Sequence, residues 1–369
     1  MEIEEIALRL VEAELKREFV TSFGRERNRQ AMILEVSGEG NSGYGECVAG
    51  SGPWYSYETL QTAWHITVDY IAPAVLEKRV QSPRSVLERI GRIRGHNMAK
   101  AAVEMALWDL YAKRKGVSLS EALGGEKDRV QSGVSVGIQD DVDSLLGLIG
   151  GYLDEGYTRI KFKIRPGRDV KTAEAVRDRF PEVPMMVDAN GAYTLEQSHI
   201  FRTLDRYDLT MMEQPLGYDD LSHHAKLQKE IKTPICLDES IPTLHRAYDA
   251  VALHSCRIVN IKPGRVGGHI KAKSMAEYLH RNHIRLWVGG MLETGIGRAH
   301  NVALASLKEF TLPNDISASD RYYEEDVVEP SFTLEKDGTI VVPRGVGLGV
   351  EASLDRLDEM TVKRETLKP

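Results

Sequence analysis

The chain has 369 residues, 42% of them hydrophobic, which is ample material for a large core in one large domain or two ordinary ones. Its 48 basic and 55 acidic residues give a formal charge of −7, and no basic block could follow a phosphate backbone, so we expect no nucleic-acid partner. The start, Met1–Glu5, lacks the pattern of a signal peptide, and no segment approaches the roughly 18 apolar residues of a membrane span. We therefore expect a cytoplasmic globular protein without membrane contact.

The cysteines and histidines give no sign of a soft-metal site. Three cysteines, Cys47, Cys236 and Cys256, are too few and too scattered for a disulfide framework or a CxxC knuckle, so we expect ordinary core residues. His223 and His224 fall in a predicted amphipathic helix away from the strand ends. A solvated helix face explains this pair better than zinc.

The first third of the chain changes from extended to helical patterns. Residues 2–50 contain "EIEEIALRLVEAEL" and "QAMILEVSGEGNSGYGECVAG", in which glycines and Asn41 mark a turn, and this predicts an antiparallel meander. From Tyr57 to about Leu123, "TLQTAWHITVDYIAPAVLEK" and "MAKAAVEMALWDLYAKRKG" place apolar residues at helical intervals, and Gly116 ends the second segment. We expect two helices, the second largely buried.

After residue 125, short apolar runs alternate with amphipathic helical segments. Eight runs are found, at 130–138, 158–164, 183–190, 209–215, 233–240, 256–264, 284–291 and, less clearly, 309–317. Eight strands alternating with helices favour a closed α/β barrel over an open sheet. The tail, with "TIVVPRGVGLGVEASL", returns to strand and turn signals, and we expect it to rejoin the N-terminal meander.

Ionisable residues recur at one position of successive runs, near the ends of strands that should be buried. They are Lys163, Asp188, Glu213, Asp238 and Lys262, separated by 25, 25, 25 and 24 residues. This spacing is about one βα unit, so each residue should lie at nearly the same height on its strand, at the barrel mouth where catalysis occurs. A lone strand-end acid is usually a helix cap or an ion-pair partner, but such acids and lysines have no reason to share one phase over four intervals.

The three acids of this set predict a metal site. Three carboxylates at one mouth need a compensating charge, and a hard divalent cation with oxygen ligands suits Mg²⁺, with Mn²⁺ as a substitute. Asp188, Glu213 and Asp238 are the candidate ligands, and Glu239, beside Asp238, is a candidate supporting partner. Burial near a cation and another ammonium should lower the pKa of the flanking lysines, which suits abstraction of a proton α to a carboxylate.

These motifs resemble one known family. "KFK" at the second strand, "VDAN", "MEQP", "CLDES" and "NIKPGRVGG" are similar to the enolase superfamily, specifically its muconate-lactonizing subgroup. The resemblance implies a modified TIM barrel of (β/α)7β form, which fits the blurred eighth unit, with an α+β capping domain. It assigns residues 1–125 to the capping domain, 126–325 to the barrel and 326–369 to a segment that returns to the cap.

Within the subgroup, "TSFG", "PWYSYET", "MAKAAVEMALWDLYAK" and "GGMLETGIGRAHN" resemble the o-succinylbenzoate synthases, including those that racemise N-acylamino acids. The implied reaction is a dehydration in menaquinone biosynthesis. Lys163 would remove the proton α to the carboxylate of a cyclohexadiene hydroxy-acid, and Lys262 would stabilise the resulting anion from the other face. The alternatives are an N-acylamino acid racemase or both activities together, then a cycloisomerase or dipeptide epimerase. A non-catalytic binding protein would not need two lysines around a metal triad.

Weaker signals in the sequence suggest how the substrate, a small-molecule carboxylate, is held. Lys161 would lower the pKa of Lys163 and contact the carboxylate. Ser135 and Asn190 are placed to hydrogen-bond the substrate or metal-bound water, with hydrogen bonds to the backbone as the alternative. Arg265 could contact the substrate or tune Lys262, with a surface salt bridge as the alternative. Met291, in the "GGMLETGIGRAHN" motif, is a further candidate for substrate contact. The loops "TSFG" and "GSGPWYS" suit a lid over the mouth, with simple closure of the meander as the alternative. We also expect a homo-oligomer.

Overall fold

A four-stranded antiparallel sheet joins the two ends of the chain. In the computed structural model, which describes residues 1–369, the strand Glu5–Val20 pairs with Arg25–Gly38, which pairs in turn with Asn41–Cys47. The fourth strand, Thr361–Leu367, pairs with the other side of Glu5–Val20 and places Leu367 opposite Ile6. The predicted meander and the return of the tail to it are therefore confirmed.

The sheet is buried on both faces, because it lies between two hydrophobic cores. In the strand Arg25–Gly38, Met32 and Leu34 belong to the core of the N-terminal cap, while Ala31 and Ile33 belong to the core of the barrel. Successive side chains of a strand point to opposite faces, so neighbouring residues enter different cores. The continuous apolar run "AMIL" is the sequence signature of this arrangement.

Helices complete the cap on the face of this sheet that carries Met32 and Leu34. The α-helices are Leu60–Ile66, Ala72–Leu76, Pro83–Arg89, Asn97–Lys115 and Leu119–Leu123, with a π-helical turn at Thr67–Ile71 and a 3₁₀ turn at Ile90–Arg92. The long helix ends as predicted at Gly116, whose φ of +68° is the left-handed conformation that glycine adopts at low cost.

The barrel contains seven parallel strands in sequential order. They are Val134–Val136, Ile160–Lys163, Met185–Asp188, Met212–Glu213, Ile235–Leu237, Ile258–Ile261 and Arg285–Val288. The surrounding α-helices are Val142–Asp154, Val170–Arg179, Ser198–Leu204, Ser222–Glu230, Leu244–Leu253, Pro263–Val266, His269–Arg281 and Gly295–Ala305. Short 3₁₀ turns lie at Leu195–Gln197, Asp205–Tyr207 and Ser319–Arg321.

Residues 309–317, the eighth run with its weaker strand pattern, form no regular strand but close the barrel. Phe310 bridges Leu286 of the last strand, and Asn314 bridges Ser132 just before the first. The fold is therefore an α/β barrel of the predicted (β/α)7β type. The remaining elements are the strands Val328–Glu329, Thr339–Val341 and Glu351–Ala352 and the helix Leu354–Met360.

The predicted run at 130–138 is divided between two sheets, which corrects the prediction of one continuous strand. Arg129–Gln131 pairs antiparallel with Thr339–Val341, and only Val134–Val136 joins the barrel. Gly133 separates the two pieces, and a Cβ there would meet the Arg159 guanidinium. Side-chain alternation does not change at such a junction, so the pattern does not reveal it.

Two minor predictions have different outcomes. All three cysteines are buried and free, as expected. His224 is fully buried, so its predicted place on a solvated face is wrong. Its Nε2 accepts the Leu216 N–H at 3.0 Å and its Nδ1 donates to the Asp220 carbonyl, while burial lowers its pKa to about 4.

None of the helices combines the length and apolar character that crossing a membrane requires.

Close packing of the cap helix on its sheet gives a stability prediction. A Cβ at Gly45 would collide with the Ala102 carbonyl and lie 2.8 Å from the Ala106 N, so Gly45→Ala should destabilise the protein by about 1–3 kcal/mol. Gly147, on an exposed helix surface with no atom near its Cβ position, is the matched control, and Gly147→Ala should be neutral or stabilising by up to about 1 kcal/mol. Denaturant unfolding measures both changes, and equal effects would contradict this packing.

Candidate active site

The barrel strands bring the predicted ionisable residues to one end. Lys163 lies opposite Asp188 in the paired strands, and Asp188 lies opposite Glu213 on the next strand. All three side chains are almost completely buried, with exposures of 8%, 1% and 0%. The carboxyl end of a parallel barrel is where the loops converge, so these residues form the floor of its mouth.

The pairing register shifts in the second half of the set. Glu213 pairs with Cys236, so Asp238 follows the partner of Glu213 by two residues. Lys262 likewise follows the last residue of its strand, Ile261. Because barrel strands are tilted and staggered, residues at one height advance along the pairing register from strand to strand. This shift is therefore compatible with the predicted equal height of the five residues.

Lys161 is the most highly connected cation in the mouth. Its Nζ lies 2.8 Å from Asp315 Oδ2, 3.0 Å from Glu213 Oε2 and 3.5 Å from Asp188 Oδ2. Burial alone would lower the pKa of Lys161, but these three carboxylates outweigh it and raise the pKa above its ordinary value. Lys161 is consequently held as a cation.

Lys163 occupies one side of the cavity. Its Nζ donates to Asp188 Oδ2 at 2.6 Å and to Asn190 Oδ1 at 2.8 Å. Asn190 in turn donates from Nδ2 to Glu239 Oε1 at 3.0 Å. Glu239 is therefore connected to Lys163 by hydrogen bonds through the side-chain amide of Asn190. The second oxygen of Glu239, Oε2, is buried without a hydrogen-bond partner.

Lys262 occupies another side, at the junction of barrel and cap. Its Nζ donates to Asp238 Oδ2 at 2.8 Å and to the Tyr55 hydroxyl at 3.1 Å, and it lies 3.5 Å from Met291 Sδ. Arg265 is only 4% exposed and pairs with the other oxygen of Asp238, so it is a buried cation and not a surface salt bridge.

The pKa directions of the buried groups follow from this crowding. Burial alone would lower the pKa of Lys262, but in the metal-free site Tyr55, Glu213 and Glu239 outweigh it and raise the pKa. The lowering expected beside a bound metal cation stays a prediction. Burial and the neighbouring Asp188 carboxylate raise the pKa of Glu213. For Asp188, burial acts to raise the pKa, but the two lysines of the "KFK" motif lower it.

Three residues of the site were not identified from the sequence. Tyr55 donates its hydroxyl to Asp238 Oδ1 at 2.8 Å, Asn260 donates to Glu213 Oε1 at 2.7 Å, and Asp315 accepts from both Lys161 and Ser135 at 2.8 Å. Asn260 and Asp315 are polar residues in buried runs, a signal that could have identified them. Tyr55 lies in a loop, and only its neighbours across the domain boundary reveal its role.

A cavity of about 250 Å³ opens above these groups, between the barrel mouth and the cap. Six sequence candidates line it: Ser135, Lys161, Lys163, Asn190, Lys262 and Met291. Arg265 does not, so a substrate contact from Arg265 stays a prediction. The loops 21–24 and 50–55 contribute Thr21, Phe23, Gly50, Trp54 and Tyr55 to its walls, which places both predicted lid segments over the mouth.

The donor chemistry of the mouth fits a hard divalent cation. Asp188, Glu213 and Asp238 supply only oxygen donors, and the unpartnered oxygen of Glu239 adds acceptor capacity beside them. In the present arrangement the three carboxylates point to ammonium or guanidinium groups and do not converge on a common point. A cation bound there would replace some of these ammonium contacts.

Comparison with known proteins gives one consistent match. A model of the mandelate racemase / muconate lactonizing enzyme N-terminal domain matches residues 5–124, and the enolase C-terminal domain-like model matches residues 148–356. An o-succinylbenzoate synthase of Geobacillus kaustophilus is 48% identical over 360 residues, which cover 97% of this chain and 96% of the relative. An N-succinylamino acid racemase of Amycolatopsis sp is 46% identical over 365 residues, 99% of each chain. A solved structure of an enolase superfamily member from Listeria innocua has a TM-score of 0.96 at 42% identity, covering 100% of this chain and 99% of that chain.

The oxygen donors of the mouth give a prediction for metal binding. The wild-type protein should bind Mg²⁺ in a calorimetric titration, and Asp188→Asn should weaken binding at least about tenfold because it removes one anionic ligand. Asp315→Asn is the matched control, since Asp315 is a buried acid of the same cavity that lies outside the proposed ligand set. Equal losses in both variants would mean that binding follows net charge and not these ligands.

Proposed function

The chain belongs to the enolase superfamily, and from this premise we propose that it is an o-succinylbenzoate synthase. Such an enzyme is a lyase that dehydrates 2-succinyl-6-hydroxy-2,4-cyclohexadiene-1-carboxylate to 2-succinylbenzoate in menaquinone biosynthesis. The observation that carries the proposal is the pair of buried lysines, Lys163 and Lys262, that line one cavity around a set of carboxylates.

Lys163 is the proposed base. In its amine form it takes the proton α to the substrate carboxylate, and Asn190 holds the nitrogen in place through a 2.8 Å hydrogen bond. The carbon that loses the proton becomes part of an ene-diolate. The 6-hydroxyl then leaves with its bonding electrons, the ring becomes aromatic, and the net loss is one water.

Lys262 and Lys161 are the proposed fixed cations. Lys161 lies among the carboxylates of Asp315 and Glu213, and Lys262 lies beside the Asp238 carboxylate, so each can carry positive charge while negative charge grows on the substrate. Charges fixed in a buried site stabilise such an anion without reorganising at the moment of reaction. Lys161 orients the carboxylate, and Lys262 stabilises the ene-diolate from the opposite face.

Members of this family generally depend on Mg²⁺, and we assign the metal in this chain to Asp188, Glu213 and Asp238. The bound ion would supply positive charge to the substrate carboxylate. Substitution by Mn²⁺, a homo-oligomeric state, a cytoplasmic location and the domain limits at residues 125 and 325 stay predictions.

A second candidate activity, racemisation of N-succinylamino acids, is supported by the same two lysines. If they lie on opposite faces of one α-carbon, one removes the proton and the other returns it. Relatives that are 44–46% identical carry the name N-succinylamino acid racemase. Both activities in one enzyme are compatible with this geometry, whereas the cycloisomerase and dipeptide epimerase alternatives have less similar relatives, such as an epimerase at 27% identity.

Removal of the base should abolish turnover. Lys163→Ala should reduce kcat for dehydration by about 10²- to 10⁴-fold, because general base catalysis contributes that much, and solvent deuterium should no longer enter the α-position of an N-succinylamino acid. Lys226→Ala, a change on an exposed helix face, is the control and should leave kcat unchanged. A rise in KM alone, with proton exchange intact, would refute the role of Lys163.

The purified protein with Mg²⁺ should be assayed on both substrate classes. We expect dehydration of the cyclohexadiene acid, followed by ultraviolet absorbance of the aromatic product, and we expect Lys262→Ala to abolish it. Racemisation without dehydration would establish the second candidate instead. Turnover that is unchanged in Lys262→Ala would contradict the two-lysine mechanism for both substrates.

A further inference from the structure

We propose that Glu46, a buried residue of the cap sheet, is a positioning residue for the Lys262 side of the active site. It touches neither substrate nor lysine, and it acts by fixing the barrel loop 289–294 to the strand from which the lid loop 50–55 extends. This inference rests on the proposed function, because its effect is read in the reaction that Lys262 serves.

Glu46 is fully buried, and its hydrogen bonds all come from the end of one barrel loop and the start of the helix that follows it. Its carboxylate accepts the Thr294 hydroxyl at 2.7 Å, the Thr294 N–H at 3.1 Å and the Gly297 N–H at 3.0 Å. These donors begin the helix Gly295–Ala305, whose first N–H groups have no partners within the helix. A Cβ at Gly297 would lie 2.7 Å from Glu46 Oε2, so this approach requires glycine.

The loop held in this way forms one wall of the cavity. Gly290, Met291 and Leu292 line the cavity, and Met291 Sδ lies 3.5 Å from Lys262 Nζ. Within the loop, the Met291 N–H donates to Glu293 Oε2 at 2.8 Å. A shift at Thr294 is therefore transmitted over three residues to the side chain that contacts Lys262.

The other end of the connection is the lid. Glu46 is the penultimate residue of the strand Asn41–Cys47, and the chain continues directly into the loop that carries Trp54 and Tyr55. The Tyr55 hydroxyl accepts from Lys262 at 3.1 Å and donates to Asp238. Glu46 thus sets the distance between two segments that contact Lys262 from opposite domains.

The chain contains a matched control for this role. Glu104 is another fully buried cap carboxylate, and it accepts the N–H groups of His269 and Ile270 at the start of a different barrel helix. The cavity has no lining residue from Pro263–Val266 or His269–Arg281. Both carboxylates therefore make the same kind of bond between cap and barrel, but only Glu46 bonds to a loop of the active site.

The test compares Glu46→Gln with Glu104→Gln at equal Mg²⁺. Either amide presents an N–H to helix donors and should lower the unfolding midpoint. We expect kcat/KM for dehydration to fall about tenfold or more in Glu46→Gln and to stay within about twofold in Glu104→Gln, because small displacements of catalytic groups have large rate effects. Amide hydrogen exchange should become faster in residues 289–297 in Glu46→Gln only.

Thr294→Val removes the hydrogen bond from the Thr294 hydroxyl to Glu46. It is the second test variant and replaces Glu46→Gln if that variant does not fold. It should reduce kcat/KM in the same direction while the free energy of unfolding changes little. Equal losses in the two glutamine variants, or full activity in a folded Thr294→Val, would overturn the inference and leave the proposed function standing. An inactive wild-type protein on both substrate classes would overturn both.

Discussion

The mutual compensation of buried charges at the barrel mouth is the constraint on which the rest of the structure depends. Four cations, Lys161, Lys163, Lys262 and Arg265, lie among five carboxylates, Asp188, Glu213, Asp238, Glu239 and Asp315. A buried ion without a partner costs several kcal/mol, so each member is tolerated only because its neighbours are present. The parallel strands supply the scaffold that meets this condition, because they bring residues about 25 positions apart to one end.

The cap is a part of this site and not only a cover. The strand Arg25–Gly38 of its sheet contributes side chains to both hydrophobic cores, and its loops line the cavity. Tyr55 hydrogen-bonds directly to Asp238 and Lys262. Two buried cap carboxylates, Glu46 and Glu104, bond to the starts of barrel helices. Exclusion of water from the mouth strengthens every charge interaction inside it, so the position of the cap affects the chemistry as well as the stability.

Features that follow from a periodic sequence pattern were predicted, whereas contacts between segments distant in the chain were not. Repetition of one βα unit revealed Lys163, Asp188, Glu213, Asp238 and Lys262, and alternation revealed the strands. The shift of the pairing register between Glu213 and Asp238 is a property of barrel closure and leaves no local trace. Asp315 and Tyr55 were missed because their partners lie on other elements, more than 150 residues away in the chain. The sequence pattern predicts a surface position for His224, because its hydrogen bond to the Leu216 N–H is visible only in the folded structure.

The pairing of the strand Thr361–Leu367 with Glu5–Val20 has a consequence for folding during synthesis. The ribosome makes the first strand before the barrel and its partner only afterwards, so one edge of the cap sheet lacks its neighbour while more than 300 residues are added. An unpaired strand edge is a template for association with other chains. Nascent chains of this protein therefore carry an exposed edge for most of translation, and a chaperone that shields strand edges would act on this segment first.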